Sequence, residues 1–203
     1  MSFFEERLNK FDIPTDKPII TQISRFDKWK DPEGVIEAFE LVKKRVDCRL
    51  VLLGNMATDD PEGEKIYKRV IKKANGLKDV IILMVENQIL VNAVQTVSSV
   101  VIQKSIREGF GLTVTEALWK GKPVVASNVG GTPLQIIDGK TGFLVEPNDI
   151  KGCAERIIEI LKNPTLAEEL GKNAKEHVKK NFLITRLISD YLDILNEVIY
   201  GNK

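Results

Sequence analysis

Residues 107–118, Arg107-Glu108-Gly109-Phe110-Gly111-Leu112-Thr113-Val114-Thr115-Glu116-Ala117-Leu118, followed by Gly121-Lys122-Pro123-Val124-Val125-Ala126, decide how this chain folds. They follow a short β-branched run, Val100-Val101-Ile102, and lead into apolar residues at helical spacing. The order is therefore strand, glycine-containing turn, helix. Glycines at 109 and 111 let the backbone pass close to a ligand with no Cβ in the way. The helix behind them offers unpaired N–H groups and a positive dipole end to an anion. Glu108 before the turn and Glu116 inside the helix flank that anion site, with seven residues between them.

Working outward, short apolar runs alternate with helical patterns. Strands are expected at 19–24, 50–53, 80–84, 100–102, 123–126 and 142–145. Helices are expected at 35–46, 64–74, 90–97, up to Trp119, 134–137, 154–161, 166–178 and 184–199. Asp-Pro-Glu-Gly at 31–34 and again at 60–63 gives an Asp N-cap, a proline at the first helical position and an acid in the first turn. Buried-type strands alternating with helices imply a doubly wound, Rossmann-like α/β domain with a parallel sheet, which binds ligands at the carboxyl ends of its strands. Two loops fall there, 24–31 and 104–111. Residues 1–17 read as an amphipathic lead-in or linker remnant, 18–183 as the ligand-binding domain and 184–203 as an extra C-terminal helix.

Bulk composition narrows the class. The 203 residues carry 30 Lys+Arg against 29 Asp+Glu, a formal net charge of +1 that gives nucleic acid no basic surface. The longest purely apolar run, Val80 to Val85, is far too short to span a membrane. The N-terminus is charged too early for a signal peptide. Cys48 and Cys153 are far apart and lack metal-ligand spacing, so they read as reduced thiols. A cytoplasmic protein without nucleic-acid or membrane partners is expected. His177 lies among lysines in a helical pattern and reads as a solvated residue rather than a catalyst.

Arg25 follows the first strand and Lys30 sits just before the Asp31 cap; a guanidinium fork and an ammonium suit two linked phosphates. Two basic residues in a solvated loop are the plain alternative. Glu108 would stabilise positive charge at a reacting sugar carbon, and Glu116 would accept hydrogen bonds from ribose hydroxyls. The turn at Gly130-Gly131 would line the same pocket with N–H groups, or merely reverse the chain.

Together, Ser24-Arg25-Phe26 with Lys30, Leu53-Gly54, Glu108-Gly109-Phe110-Gly111-Leu112 with Glu116-Ala117, Gly121 to Ser127, Gly130-Gly131 and Gly139 to Val145 resemble the nucleotide-sugar-binding half of the retaining GT-B glycosyltransferases of family 4. Residues 24–32, 59–63, 91–95 and 101–120 are similar, more narrowly, to the subgroup of trehalose synthases, which join nucleotide-activated glucose to free glucose. Leu134 stands where many family-4 enzymes carry a glutamate.

The resemblance implies that Arg25, Lys30 and Glu108 are the catalytic set. It gives Ser24, Gly109, Phe110, Gly111, Leu112, Thr113, Glu116, Gly130 and Gly131 to nucleotide-sugar binding. A nucleotide-diphosphate glucose is the implied donor, with no tightly bound cofactor and no catalytic metal; any magnesium would be non-catalytic. The family's active site lies between two domains, so the implied partner is an N-terminal acceptor domain or a separate subunit. A non-catalytic nucleotide-sugar-binding module and half of a sugar-nucleotide epimerase stay open as alternatives.

Overall fold

The computed structural model describes residues 3–55 and 61–201. Six strands form one sheet: β1 (Ile19–Ile23), β2 (Arg49–Gly54), β3 (Val80–Met84), β4 (Val100–Gln103), β5 (Val124–Ser127) and β6 (Phe143–Val145). Their order is β3-β2-β1-β4-β5-β6 and every pairing is parallel. Around them lie α1 (Phe3–Asn9), α2 (Pro32–Lys43), α3 (Pro61–Ala74), α4 (Gln88–Val97), α5 (Leu112–Trp119), α6 (Thr132–Gln135), α7 (Ile150–Lys162), α8 (Pro164–Asn181) and α9 (Ile184–Tyr200).

Alternate strand residues feed opposite faces of the sheet. On one face Ile20, Leu50, Leu52, Val100, Ile102 and Val125 pack with Val35, Phe39 and Val42 of α2 and Ile157 of α7. On the other, Ile19, Ile23, Val51 and Leu53 meet Leu90, Ala93 and Val94 of α4, while Val101, Val124 and Ala126 meet Val114, Ala117 and Leu118 of α5. Because both faces are covered, β1, β4 and β5 are buried along their whole length, which is why their sequences are mostly apolar rather than alternating.

Several helices begin earlier than apolar periodicity indicates, because a side-chain cap starts the helix before its first core-facing residue. Asp31 Oδ1 accepts from Gly34 N at 3.0 Å, Asn87 Oδ1 from Leu90 N at 3.0 Å, Asp149 Oδ1 from Gly152 N at 2.7 Å and Asn163 Oδ1 from Leu166 N at 3.1 Å. The expected cap at Asp60 lies outside the described residues. The short helix expected at 134–137 is instead α6, two residues earlier: Pro133 suits a first turn and Ile136 is already extended.

Leu8 and Ile13 are fully buried against β1, β2 and α4, so the lead-in packs on the domain. Helix α9 buries none of its residues. Cys48 and Cys153 are buried free thiols. Burial pushes them up to about 11 and about 12, which keeps them in the unreactive thiol form.

Candidate active site at the strand-order reversal

The sheet order reverses between β1 and β4, whose chains leave toward opposite sides. Their ladder has only two registered pairs, Ile20–Val100 and Thr21–Val101, against five between β1 and β2. Past those pairs the strands part and a crevice opens at their carboxyl ends. Gln22 and Gln103, the polar residues near the ends of these two buried strands, line up the loops that follow. Gln22 Oε1 accepts from Lys104 N at 2.9 Å and its Nε2 donates to Lys30 O at 2.7 Å, so one buried amide joins both loops.

Lys30 and Glu108, 78 residues apart in sequence, meet across that crevice: Nζ to Oε2 is 2.6 Å. The same oxygen accepts from Gln103 Nε2 at 2.9 Å and Ser105 Oγ at 3.2 Å, and Oε1 accepts from Gly109 N at 3.1 Å. The two side chains are only 17% and 7% exposed, so the pair is largely desolvated. Beside it the buried Lys104 ammonium binds the Asp31 carboxylate and donates to Pro147 O at 2.7 Å. Asp31, the residue after Lys30, adopts a left-handed conformation with φ 45°. A buried ammonium needs its charge partner, and this one fastens the Lys30 loop to the end of β4 and to the loop after β6.

Arg25 and Glu116 fall together in an adjoining cleft of about 260 Å³, whose walls include Ser24, Asn55, Asn87, Leu112 and Thr113. Arg25 Nη2 lies 3.4 Å from Asp27 Oδ2 and is more than half exposed. Asp27 in turn accepts from the amides of Trp29 and Lys30 and shapes that loop. Glu116 Oε2 accepts from Gln95 Nε2 at 3.1 Å. Thr113 Oγ1 donates to Gln103 Oε1 at 3.0 Å, linking the cleft to the Lys30–Glu108 pair.

Helix α5 is preceded by Gly111, which has φ 81° and makes no side-chain cap, and Leu112 and Thr113 of its first turn line the cleft. Phe110 and Leu112 are exposed at the rim. The glycines at 130 and 131, expected either to line the pocket or to turn the chain, bring two backbones together. Gly131 N donates to Gly109 O at 2.6 Å, so that amide is engaged inside the protein. A Cβ on Gly130 would stand 1.7 Å from Glu108 O. These two glycines let two backbones touch, and so shape the Glu108 loop.

Among the described residues no group of three or more His, Cys, Asp or Glu side chains could hold a metal ion. No helix among them is long and apolar enough to cross a membrane.

The family model for glycosyl transferases group 1 matches residues 3–177. The chain belongs to that family. As a group 1 glycosyl transferase it has close relatives: the trehalose synthase of Pyrococcus horikoshii is 49% identical over 197 residues, covering 94% of this chain and 46% of that protein. The chain thus spans about half the length of the curated relatives it matches. A solved glycosyltransferase from Rickettsia africae superposes with a TM-score of 0.85 at 27% identity, over 98% of this chain and 52% of that one. Anabaena HepE, solved in complex with UDP-glucose, superposes at 0.82 with 20% identity over 97% of this chain and 54% of its own, a likeness of fold. The Rossmann-like architecture expected from the alternation of strands and helices, of the GT-B type that the family resemblance implies, is the one found.

Gln22, Gln95, Gln103, Ser105 and Lys104 escaped the sequence reading of this glycosyl transferase site. A signal was present for three of them: a glutamine interrupting the apolar runs Ile19-Ile20-Thr21-Gln22-Ile23, Val100-Val101-Ile102-Gln103 and the helix Val91-Asn92-Ala93-Val94-Gln95. A buried amide must be hydrogen-bonded, so such an interruption marks a designed contact.

Proposed function

We propose that the chain is the donor-binding part of a retaining glycosyltransferase that moves glucose from a nucleotide-diphosphate glucose to an acceptor sugar, as a trehalose synthase does. The observation that carries this reading is the meeting of Lys30 with Glu108 across the crevice, beside a cleft holding Arg25 and Glu116. Arg25 and Glu116 line one ligand-sized cleft, and Thr113 and Gln103 connect it to the Lys30–Glu108 pair beside it. Binding of UDP-glucose by HepE, which shares the fold, agrees with a nucleotide-sugar donor.

On this reading Arg25 and Lys30 hold the diphosphate, helped by the amides from Gly111 to Thr113, and Glu116 grips ribose hydroxyls. The bond from the anomeric carbon to the phosphate oxygen breaks with its electron pair going to the nucleoside diphosphate, whose added charge the two cations neutralise. The acceptor hydroxyl attacks the same face, and its proton passes to the departing phosphate. Glu108 stabilises the positive charge that develops on the sugar ring. Cations and a helix end serve the phosphates, so the scheme needs no catalytic metal. We place the acceptor on a second domain or subunit; residues 18–183 form the donor-binding domain and 184–203 an appended helix. The chain alone then binds nucleotide sugar and transfers little, because acceptor and donor are not held together.

Calorimetric titration of UDP and ADP, each with and without glucose attached, into the chain and its Arg25→Ala and Glu116→Ala variants tests the reading. Both changes should weaken binding at least tenfold. If neither weakens it more than about threefold, roughly 0.7 kcal/mol, the site assignment is wrong. Rapid trehalose formation from nucleotide-glucose and glucose by the chain alone would refute its dependence on a second domain.

A further inference from the structure

We infer that Gln95, on α4, is a positioning residue that keeps Glu116 available to the ligand by standing between it and Lys120; this rests on the reading that Glu116 grips ribose. Gln95 is fully buried on a helix whose other inward residues, Leu90, Ala93 and Val94, are apolar. Its amide spans two charges. Nε2 donates to Glu116 Oε2 at 3.1 Å and to Thr113 O at 3.4 Å, and Oε1 accepts from Lys120 Nζ at 2.8 Å. The ammonium can only donate and the carboxylate only accept, so the amide has one allowed orientation.

Glu116 and Lys120 are four residues apart with the acid on the N-terminal side, the arrangement that favours direct pairing along a helix. No such ion pair forms among the described residues, although four other i,i+4 pairs do. The interposed amide takes the ammonium on one side and a single carboxylate oxygen on the other. Glu116 Oε1 has no hydrogen bond among the described residues, and Glu116 lines the cleft beside Arg25 and Thr113. Burial lowers the Lys120 pKa while the Glu116 charge opposes that shift, in keeping with an ammonium near the carboxylate but not in contact with it. Without the amide, the carboxylate would close on Lys120 and withdraw from the cleft.

The test is titration of UDP and ADP, and of their 2′,3′-dideoxy counterparts, into the chain, Gln95→Met, Gln95→Met/Lys120→Met and Glu116→Ala. Methionine nearly matches the shape of glutamine in the core. If Gln95→Met does not fold, Gln95→Asn, which shortens the reach but keeps the amide, gives the same readout. The expected result is about a fivefold loss for the ribonucleotides, under twofold for the dideoxy forms, and recovery of at least half the loss when Lys120 is also removed. Equal loss for both nucleotide forms, or no loss, would overturn the inference if Glu116→Ala still discriminates between them. If Glu116→Ala itself treats both forms alike, or neither nucleotide binds the unaltered chain, the ribose reading of Glu116 falls and takes this one with it.

Discussion

Replacing Glu108 by glutamine tests whether Lys30 is shared between the fold and the diphosphate. Glu108 Oε2 gathers Lys30, Gln103 and Ser105, with the Lys30 contact the shortest at 2.6 Å. A glutamine carbonyl oxygen in the same place can still accept from all three. Its NH2 would stand where Oε1 accepts from Gly109 N, but that contact is exposed and water can replace it. The fold should therefore survive. What disappears is the ionic part of the Lys30 contact, the difference between a charged hydrogen bond of about 1.5–3 kcal/mol and a neutral one of about 1 kcal/mol. Stability should fall by about 1 kcal/mol, and Lys30 becomes easier to recruit to a phosphate by a similar amount. Affinity for a nucleoside diphosphate should then rise about fivefold. Titration calorimetry at fixed salt, with a thermal melt of each protein, reads both quantities. Unchanged or weaker diphosphate binding by Glu108→Gln would refute the idea that Lys30 must leave Glu108 to serve the ligand.

Three further outcomes follow from the geometry. A Cβ added to Gly109 meets nothing within 4 Å, so Gly109→Ala should leave the melting temperature within about 2 °C of the parent while cutting nucleotide-sugar affinity at least tenfold; unaffected affinity would mean that no ligand approaches this loop. Hydrogen bonds from Lys43 and Lys17 hold the Asp79 carboxyl at about 2, below its ordinary value near 3.9. Its contribution, about 1 kcal/mol after allowing for its partial exposure, is present above pH 4 and lost as pH falls toward 2. Urea melts of Asp79→Asn should show a flatter decline across that window, and an unchanged slope would exclude the cluster as its source. Helix α9 buries nothing and exposes Leu187, Tyr191, Leu195 and Val198. A chain ending at Leu183 should melt within about 3 °C of the longer one and self-associate less in sedimentation; collapse of the shorter chain would show that α9 supports the core.

Much of the fold was legible in the sequence because its determinants are local. β-branched runs such as Val80 to Met84 mark strands, Asp31-Pro32 starts a helix, and Gly109 and Gly111 mark the turn where α5 begins. The family likeness was carried by the same short strings. Apolar periodicity alone places a helix start late where a cap precedes the first core-facing residue, as at Asp149 before α7. The double glycine at 130–131 could not be assigned locally, since what it needs to avoid is the backbone of Glu108, more than twenty residues earlier.

The residues themselves determined which groups stand at the carboxyl ends of β1 and β4, since strand boundaries and loop contents depend on near neighbours. Only the tertiary structure decided that Lys30 pairs with Glu108, that Lys104 is buried against Asp31, and that Gln95 stands between Glu116 and Lys120. Those contacts join segments brought together by strand order, and a glutamine within an apolar run shows that a buried amide needs partners without showing which groups they are.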